Sequence, residues 1–487
     1  VTGAPLVRRV PLVLLPDPAR VVNQLFVAGE EVTTGASRAT TVMRRALDLS
    51  DGEVDVVLAS VLERFSDRHV DLESDLLVHF DQIGDRIGTA GLTRERRLLL
   101  GAFATSEYAV EAAALCNPSI VEHPDQSGLG AGQIRFVLSL RAIGEGHRSS
   151  IEFRTGIAGA DGTLSVDPPG PLTSVGQLQP ARYDRSAFAA LFADRNAEVA
   201  SHVLGRLGEQ FSRPELDESL AGVQPHVLRR PVARKVIDDI RAAADSNYTL
   251  SFAPGTTLDQ RVLRPHGPSE SNGMEDARMV RFTDDDGARR YWATYTAFDG
   301  SRVAPQVITT VDFATFTVSQ LTGRAAVNKG MAIFPRRING RYAALSRWDR
   351  ERNAVATSAD GRVWDDVAEV QAPEQPWELV QVGNCGSPIE TPDGWLVLTH
   401  GVGPMRTYCL GAMLLDLDEP TTVRGKLTVP LLEPVGAERE GYVPNVVYSC
   451  GALRHGDTLI LPYACGDQRT TFALVDLPGL LERLLAP

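Results

Sequence analysis

"RYWATYTAFDGS", residues 290–301, is the stretch on which the fold turns. Nine residues rich in Tyr, Trp, Thr and Phe stop at Asp299-Gly300-Ser301. Aromatic and β-branched residues bounded by a turn cluster predict a strand. The same pattern recurs downstream. "RYAALSRWD" (341–349) follows Ile338-Asn339-Gly340, "GWLVLTHG" (394–401) follows Thr391-Pro392-Asp393, and "DTLILPYACGD" (457–467) follows Arg454-His455-Gly456. An all-β region from about Asn247 onward is therefore expected. Roughly 240 residues with such frequent turns suit a closed or radial β architecture, because an open sheet would leave edges exposed. A propeller of about five blades fits this length.

The first half reads differently. All five tryptophans lie beyond residue 290. "TTVMRRALDLSDGEVDVVLASVLERF" (40–65) has apolar residues at three- and four-residue spacing, a helical period. "TRERRLLLGAFATSEYAVEAAALCNPSIV" (93–121) predicts a further helix or pair, stopped at Asn117-Pro118. "QIRFVLSLRAI" (133–143) and "SSIEFRTGIAG" (149–159) alternate around a Gly-Glu-Gly turn and predict a hairpin. "RSAFAALFADRNAEVASHVLGRLGEQF" (185–211) returns to helix. The expected class is multidomain α+β. Residues 1–225 form a mainly helical domain with a short β insert, 226–475 a five-bladed β-propeller, and 476–487 a C-terminal helix.

Composition narrows the function. With 43% hydrophobic and 23% charged residues, the 487-residue chain is a soluble globular type, too long for one core. A net charge of −13 argues against nucleic acid or an anionic membrane as partner. No apolar run approaches the roughly 20 residues that span a bilayer. The first twenty residues set arginines before a short apolar run, but Pro11 and Pro16 break it, so a secretory leader is not expected. Five widely spaced cysteines form no CxxC pair or Cys/His cluster, so no metal is called for. Reduced thiols and a cytoplasmic location are expected.

Polar residues recur in apolar or glycine-rich frames of the β region. "NGMEDARMVRF" (272–282) presses Glu275, Asp276 and Arg278 into an apolar strand. Such charges cost free energy unless paired or used. "NKGMAIFPRRINGRYAALSRWD" (328–349) carries Lys329 and Arg347. "WELVQVGNCGSPIETPDGWLVLTHGVG" (377–403) carries Glu378, Gln381, Glu390 and His400. "EREGYVPNVVYSCG" (438–451) carries Glu440, Tyr442 and Asn445, and "PYACGDQRTTFAL" (462–474) carries Asp467. In a propeller, such positions on successive inner strands converge on one funnel. Each also has a plain reading: a salt-bridged turn, a solvated strand end, an Arg347–Trp348 stack, a loop histidine. In the first half, "CNPSIVEHPDQSG" (116–128) and "GEGHRSSIEF" (144–153), with His123 and His147, are dense in polar groups that suit sugar or a neighbouring chain, or ordinary loops.

Taken in order, these motifs resemble those of glycoside hydrolase family 130, the β-mannoside phosphorylases and β-mannosidases, over about residues 245–475. The resemblance implies a five-bladed propeller and inversion at the anomeric centre. It also implies one essential acid, Asp276, which protonates the glycosidic oxygen through a hydroxyl of the bound mannose. Lys329, Arg347 and His400 match a phosphate-binding cluster. Gln381 stands where many phosphorylases carry a lysine. The implied substrate-binding set is Glu275, Arg278, Asn272, Asp299, Arg264, Gln381, Tyr442, Asn445 and Asp467. A carboxyl buried beside Glu275 is expected to have a raised pKa, with Arg278 opposing.

Phosphorolysis needs one acid and cations, because phosphate arrives ionised. Inverting hydrolysis needs a second carboxylate to activate water. The resemblance favours phosphorolysis to α-mannose 1-phosphate, with inorganic phosphate as co-substrate and no cofactor. Hydrolysis and a non-catalytic glycan-binding propeller are the alternatives. The expected partner is a β-mannoside oligosaccharide or small glycoside, with a homo-oligomer open.

Overall fold

The structure, a computed structural model, describes residues 5–27, 38–84, 91–192, 197–223 and 231–486. The expected boundary between residues 225 and 226, residues 193–196 of the expected helical stretch and Pro487 lie outside these. Strands dominate, and helices gather in two places. Arg38–Leu47, Asp51–Phe65, Leu72–Ile83 and Arg94–Phe103 form the first group. Ser50 starts the second of these with a capping box, its hydroxyl accepting from Glu53 N while the Glu53 carboxylate accepts from Ser50 N. The helices bury Met43, Phe80, Ile83 and Leu100 together. A second group within residues 185–245 packs around Phe188, Phe211, Leu216 and Ile240.

The helix expected over 93–121 ends early. It spans only Arg94–Phe103, and strands Thr105–Ala109 and Ala114–Glu122 follow. Thr105–Ala109 pairs with Val21–Leu25, and Ala114–Glu122 pairs with Gln133–Ile143. All of Ala114–Val121 is buried. Burial on both faces and a full ladder outweigh the modest helix preference of an Ala-rich run. The expected hairpin forms, Gln133–Ile143 against Ser149–Gly159. It is no isolated insert, since Ala114–Glu122 flanks it and Ser149 pairs with Gly273, which joins the hairpin and Gly273–Gln320 in one sheet. The first half is thus divided between helix and sheet rather than mainly helical.

Five antiparallel groups follow one another along the chain. They run from Ala114 to Gly159, Gly273 to Gln320, Ala332 to Gln371, Gln381 to Lys426, and Val447 to Asp476. Strand Val7–Leu14 pairs with Arg469–Asp476 and so joins the start of the chain to the last group. Segments in or flanking the first strands of the groups touch in cyclic order. Met279 N donates to Ser119 Oγ (2.9 Å), and Thr283 N to Pro335 O (2.9 Å). Asn384 Nδ2 donates to Gly330 O (2.5 Å), and Cys450 N to Pro118 O (2.8 Å). The remaining contact is Gly386 on Cys450. Its φ is +119°, and a Cβ there would lie 2.3 Å from the Cys450 carbonyl oxygen, so glycine is required.

All five cysteines are buried and unbridged. No helix among the described residues is long and apolar enough to cross a membrane.

Candidate active site

Two bulges build the centre of the site. In strand Gly273–Thr283 the register against Arg289–Phe298 shifts between Glu275 and Arg278, and Asp276 takes φ 57°. In strand Ala114–Glu122 the register shifts between Cys116 and Ser119, and Asn117 takes φ 49°. A bulge re-aims side chains that regular alternation would send elsewhere. The two meet, with Asn117 Nδ2 donating to Asp276 Oδ1 at 2.6 Å.

Asn117, Arg141, Asp276, Lys329, Arg347, Gln381, His400, Arg406 and Asp467 line one cleft of about 190 Å³, with Tyr408, Val446 and Tyr448. Ten described non-glycine residues have positive φ, and four of them, Asn117, Asp276, Arg406 and Asp467, are in this lining. Left-handed backbone costs free energy and gathers where function requires it, so this clustering itself marks the cleft.

The electrostatics correct one expectation. Asp276 is lowered rather than raised, although Glu275 is beside it. The Glu275 carboxylate accepts from Arg141 Nη2 at 2.6 Å and from Lys329 Nζ at 2.5 Å. Burial pushes the Asp276 carboxyl up, but Arg141, Arg278 and Lys329, with the Asn117 hydrogen bond, outweigh it and hold the carboxyl below its ordinary range. Asp467 goes the other way. Burial, then the charge of Asp276, raise its carboxyl against Arg141 and Arg406.

His400 is buried, and burial, then Arg347 and Arg278, hold its imidazole well below the ordinary value, so it is neutral. Arg347 Nη1 lies 3.0 Å from His400 Nε2. Guanidinium only donates, so Nε2 accepts and Nδ1 carries the proton. Nδ1 faces the Cys385 sulfur at 3.7 Å. Burial pushes that thiol up to about 12, which removes Cys385 as a nucleophile. Arg347 Nε is buried with no partner among the described residues, as is Asn117 Oδ1.

Of the residues singled out from sequence, Asp276, Lys329, Arg347, His400, Gln381 and Asp467 come together in the lining. Glu275 joins through Arg141 and Lys329. Arg278 is buried behind them, where Nη1 donates to the Asp276 carbonyl (3.0 Å) and Nη2 to Tyr448 Oη (2.7 Å). Five others are outside the lining. Arg264 lies over the Tyr108 ring at 4.7 Å. The Asp299 carboxylate caps its own turn, accepting from Ser301 N and Arg302 N. Asn272 is exposed, and Asn445 accepts from Arg439 Nε (2.9 Å). Tyr442 is largely exposed and packs on His147, with ring centres 5.4 Å apart. His123 is held within its own loop by Asp125.

Sequence reading missed Asn117, Arg141, Arg406, Tyr408 and Tyr448. Arg141 is a charged residue in an alternating strand, which was a usable signal. Asn117-Pro118 was read as a helix stop, and nothing local marks it as a bulge facing Asp276.

Comparison with known proteins accords with this geometry. The family model for glycoside hydrolase family 130, described as beta-1,4-mannooligosaccharide phosphorylase, matches residues 255–484. A 1,2-beta-oligomannan phosphorylase of Thermoanaerobacter sp. (strain X514) is 34% identical over 235 residues, covering 46% of this chain and 75% of that protein. A beta-1,2-mannobiose phosphorylase of Listeria innocua is 35% identical over 237 residues, covering 47% of this chain and 65% of its own length. The solved structure of a Listeria innocua beta-1,2-mannobiose phosphorylase with beta-1,2-mannobiose aligns with a TM-score of 0.46 at 22% identity, over 77% of this chain and 93% of that one. The chain belongs to glycoside hydrolase family 130. Asn117 and Arg141 lie outside the matched segment yet complete its cleft.

Proposed function

We propose that this protein is an inverting phosphorylase of β-mannosides, with Asp276 as general acid. A phosphate oxygen forms the new bond to C1 as the glycosidic C1–O bond breaks, and the proton held by Asp276 ends on the leaving oxygen. Inversion gives α-mannose 1-phosphate. The names of the relatives support the reaction class. The observation that carries it is the set of cations facing Asp276: Arg141, Lys329, Arg347 and Arg406 line one cleft with it. Cations in a partly desolvated cleft are what phosphate capture needs.

The depressed Asp276 fits an ordered proton load. In the ligand-free cleft the acid is ionised. Phosphate beside Lys329 and Arg347 offsets the charges that depress it and raises its pKa, so the acid is armed as the nucleophile arrives. His400 acts through Arg347, holding the guanidinium as a neutral acceptor. Asn117 fixes the rotamer of Asp276. Asp467, the other cleft carboxyl, is read as a sugar ligand.

The cyclic contacts of the five groups support a five-bladed β-propeller whose first blade is residues 114–159 and whose last is sealed by Val7–Leu14. On that reading the catalytic domain begins near residue 105, and the helices are additions to it.

The test is incubation with β-linked mannobioses with and without phosphate. Phosphate-dependent mannose 1-phosphate is expected, lost in Asp276→Asn. Equal release of free mannose in both incubations would overturn the phosphorylase reading in favour of hydrolysis.

A further inference from the structure

A second cavity, of about 340 Å³, is larger than the catalytic cleft of about 190 Å³. One segment from each of the five groups reaches both. Residues 120–122 lie beyond Asn117, residues between 279 and 283 beyond Asp276, 335–336 beyond Lys329, 387–390 beyond Gln381 and 451–454 beyond Tyr448. Each segment therefore runs from the cleft to this cavity, and no described residue lines both. Ser119 and Cys450, fully buried, lie between the two, held by the Met279 N to Ser119 Oγ and Cys450 N to Pro118 O bonds.

The cavity has an apolar floor and a charged rim. Ile120 and Met279 are buried, whereas Glu390 and Arg454 are exposed. Two of the three arginines in the lining are neutralised. Arg281 Nη1 lies 2.6 Å from Glu122 Oε2, and Arg336 donates twice to the Glu390 carboxylate, from Nε at 3.0 Å and Nη2 at 2.9 Å. Arg454 meets only carbonyl oxygens, of Glu390 at 3.3 Å and Gly456 at 3.2 Å, and no carboxylate among the described residues. Three guanidiniums against two carboxylates leave one positive charge in the lining. Ser387 Oγ, also in the lining, is buried without a hydrogen-bond partner among the described residues.

We propose that this cavity is a second ligand site, for a small monocarboxylate with an apolar body. One uncompensated charge matches a monoanion, whereas a phosphate dianion would need more cations. Arg454 can take a carboxylate through two parallel hydrogen bonds. The apolar floor takes the hydrocarbon part, and a ligand oxygen satisfies the Ser387 hydroxyl. The volume falls at the lower end of the roughly 300–1,000 Å³ of small-molecule pockets. The site is independent of the nucleophile used in the catalytic cleft.

The test is titration of the full chain with para-fluorobenzoate, read by fluorine NMR. Saturable binding is expected. Arg454→Gln should raise the Kd about tenfold or more, the scale of a charged hydrogen-bonded pair, and Ser387→Ala about two- to tenfold. Arg454 is exposed and Ser387 half-buried, so both variants should keep the fold, checked by circular dichroism. Lys329→Met, in the catalytic cleft, should leave the Kd unchanged. The uncharged para-fluorobenzyl alcohol should bind about tenfold more weakly or worse. Absence of saturable binding in the wild type overturns the proposal, as does a Kd unmoved in both Arg454→Gln and Ser387→Ala. A rise in Lys329→Met equal to that in Arg454→Gln puts the probe in the catalytic cleft and overturns it too.

Discussion

Asn117 and Asp276 are 159 residues apart, yet Asn117 Nδ2 donates to Asp276 Oδ1 at 2.6 Å. Each sits at a bulge with left-handed backbone, on two strands that also share the Met279 N to Ser119 Oγ bond. The proposed acid is oriented by a residue outside the segment that carries the family motifs. Hydrogen bonds to charged groups contribute about 1.5–3 kcal/mol, which is roughly ten- to a hundredfold in rate. Asn117→Ala is therefore expected to lower kcat/KM by that factor with the fold intact, measured by steady-state phosphorolysis and circular dichroism.

The Asp276 carboxyl is held low in the free protein by Arg141, Arg278 and Lys329 against its burial. A general acid works only protonated, so activity falls as pH rises through its pKa. On the reading proposed above, bound phosphate raises that pKa. The basic limb of kcat at saturating phosphate should then lie at higher pH than the limb of kcat/KM, which reports the free enzyme. Superimposable limbs across a phosphate titration would contradict the proton loading proposed for Asp276.

Lys329 and Arg347 are predicted to govern phosphate affinity. Lys329→Met should raise the KM for phosphate about tenfold or more, and also release one partner of Glu275. Because His400 accepts from Arg347, His400→Gln, which keeps an acceptor, should retain more activity than His400→Ala. Burial, Arg347 and Arg278 keep His400 neutral, so NMR of its imidazole should show no titration between pH 6 and 8.

A buried cluster away from the cleft makes a stability prediction. Arg20 and Arg154 meet Glu111 and Glu152, all almost fully buried. Burial, then the charge of Glu152, push the Glu111 carboxyl up to about 8, whereas Arg154 and Arg20 overcome burial and lower Glu152. Glu152→Gln leaves two buried guanidiniums short of charge and should cost about 3–5 kcal/mol. Glu111 binds a proton more tightly folded than unfolded. Its contribution is full below the ordinary carboxylate range and is lost as pH rises toward about 8. Glu111→Gln should flatten the fall in Tm between pH 5 and 8, read by calorimetry.

Strands such as Arg289–Phe298 and Gly394–Val402 were legible because their apolar runs are bounded by turn residues, Asp299-Gly300 after the first and Pro392-Asp393 before the second. Asp276, Lys329, Arg347 and His400 were singled out because polar groups in apolar frames stand out and because their motifs, in order, resemble those of the family. Segment 105–122 was not, because Ala and Glu content favours helix locally and only the partner strands Val21–Leu25 and Gln133–Ile143 reverse that preference. The state of Asp276 was not legible either, since a neighbour in sequence, Glu275, is neutralised by Arg141 and Lys329 from other strands.

The sequence by itself determined which segments alternate, where turns break them and which charged side chains have no apolar excuse, because those depend on residue chemistry within a few positions. Tertiary structure alone decided that Asn117 and Arg141 face Asp276, that His400 is neutral and that the acid is depressed. Those follow from distances and burial between residues far apart in the chain, and Coulomb and hydrogen-bond energies depend on these, not on sequence spacing.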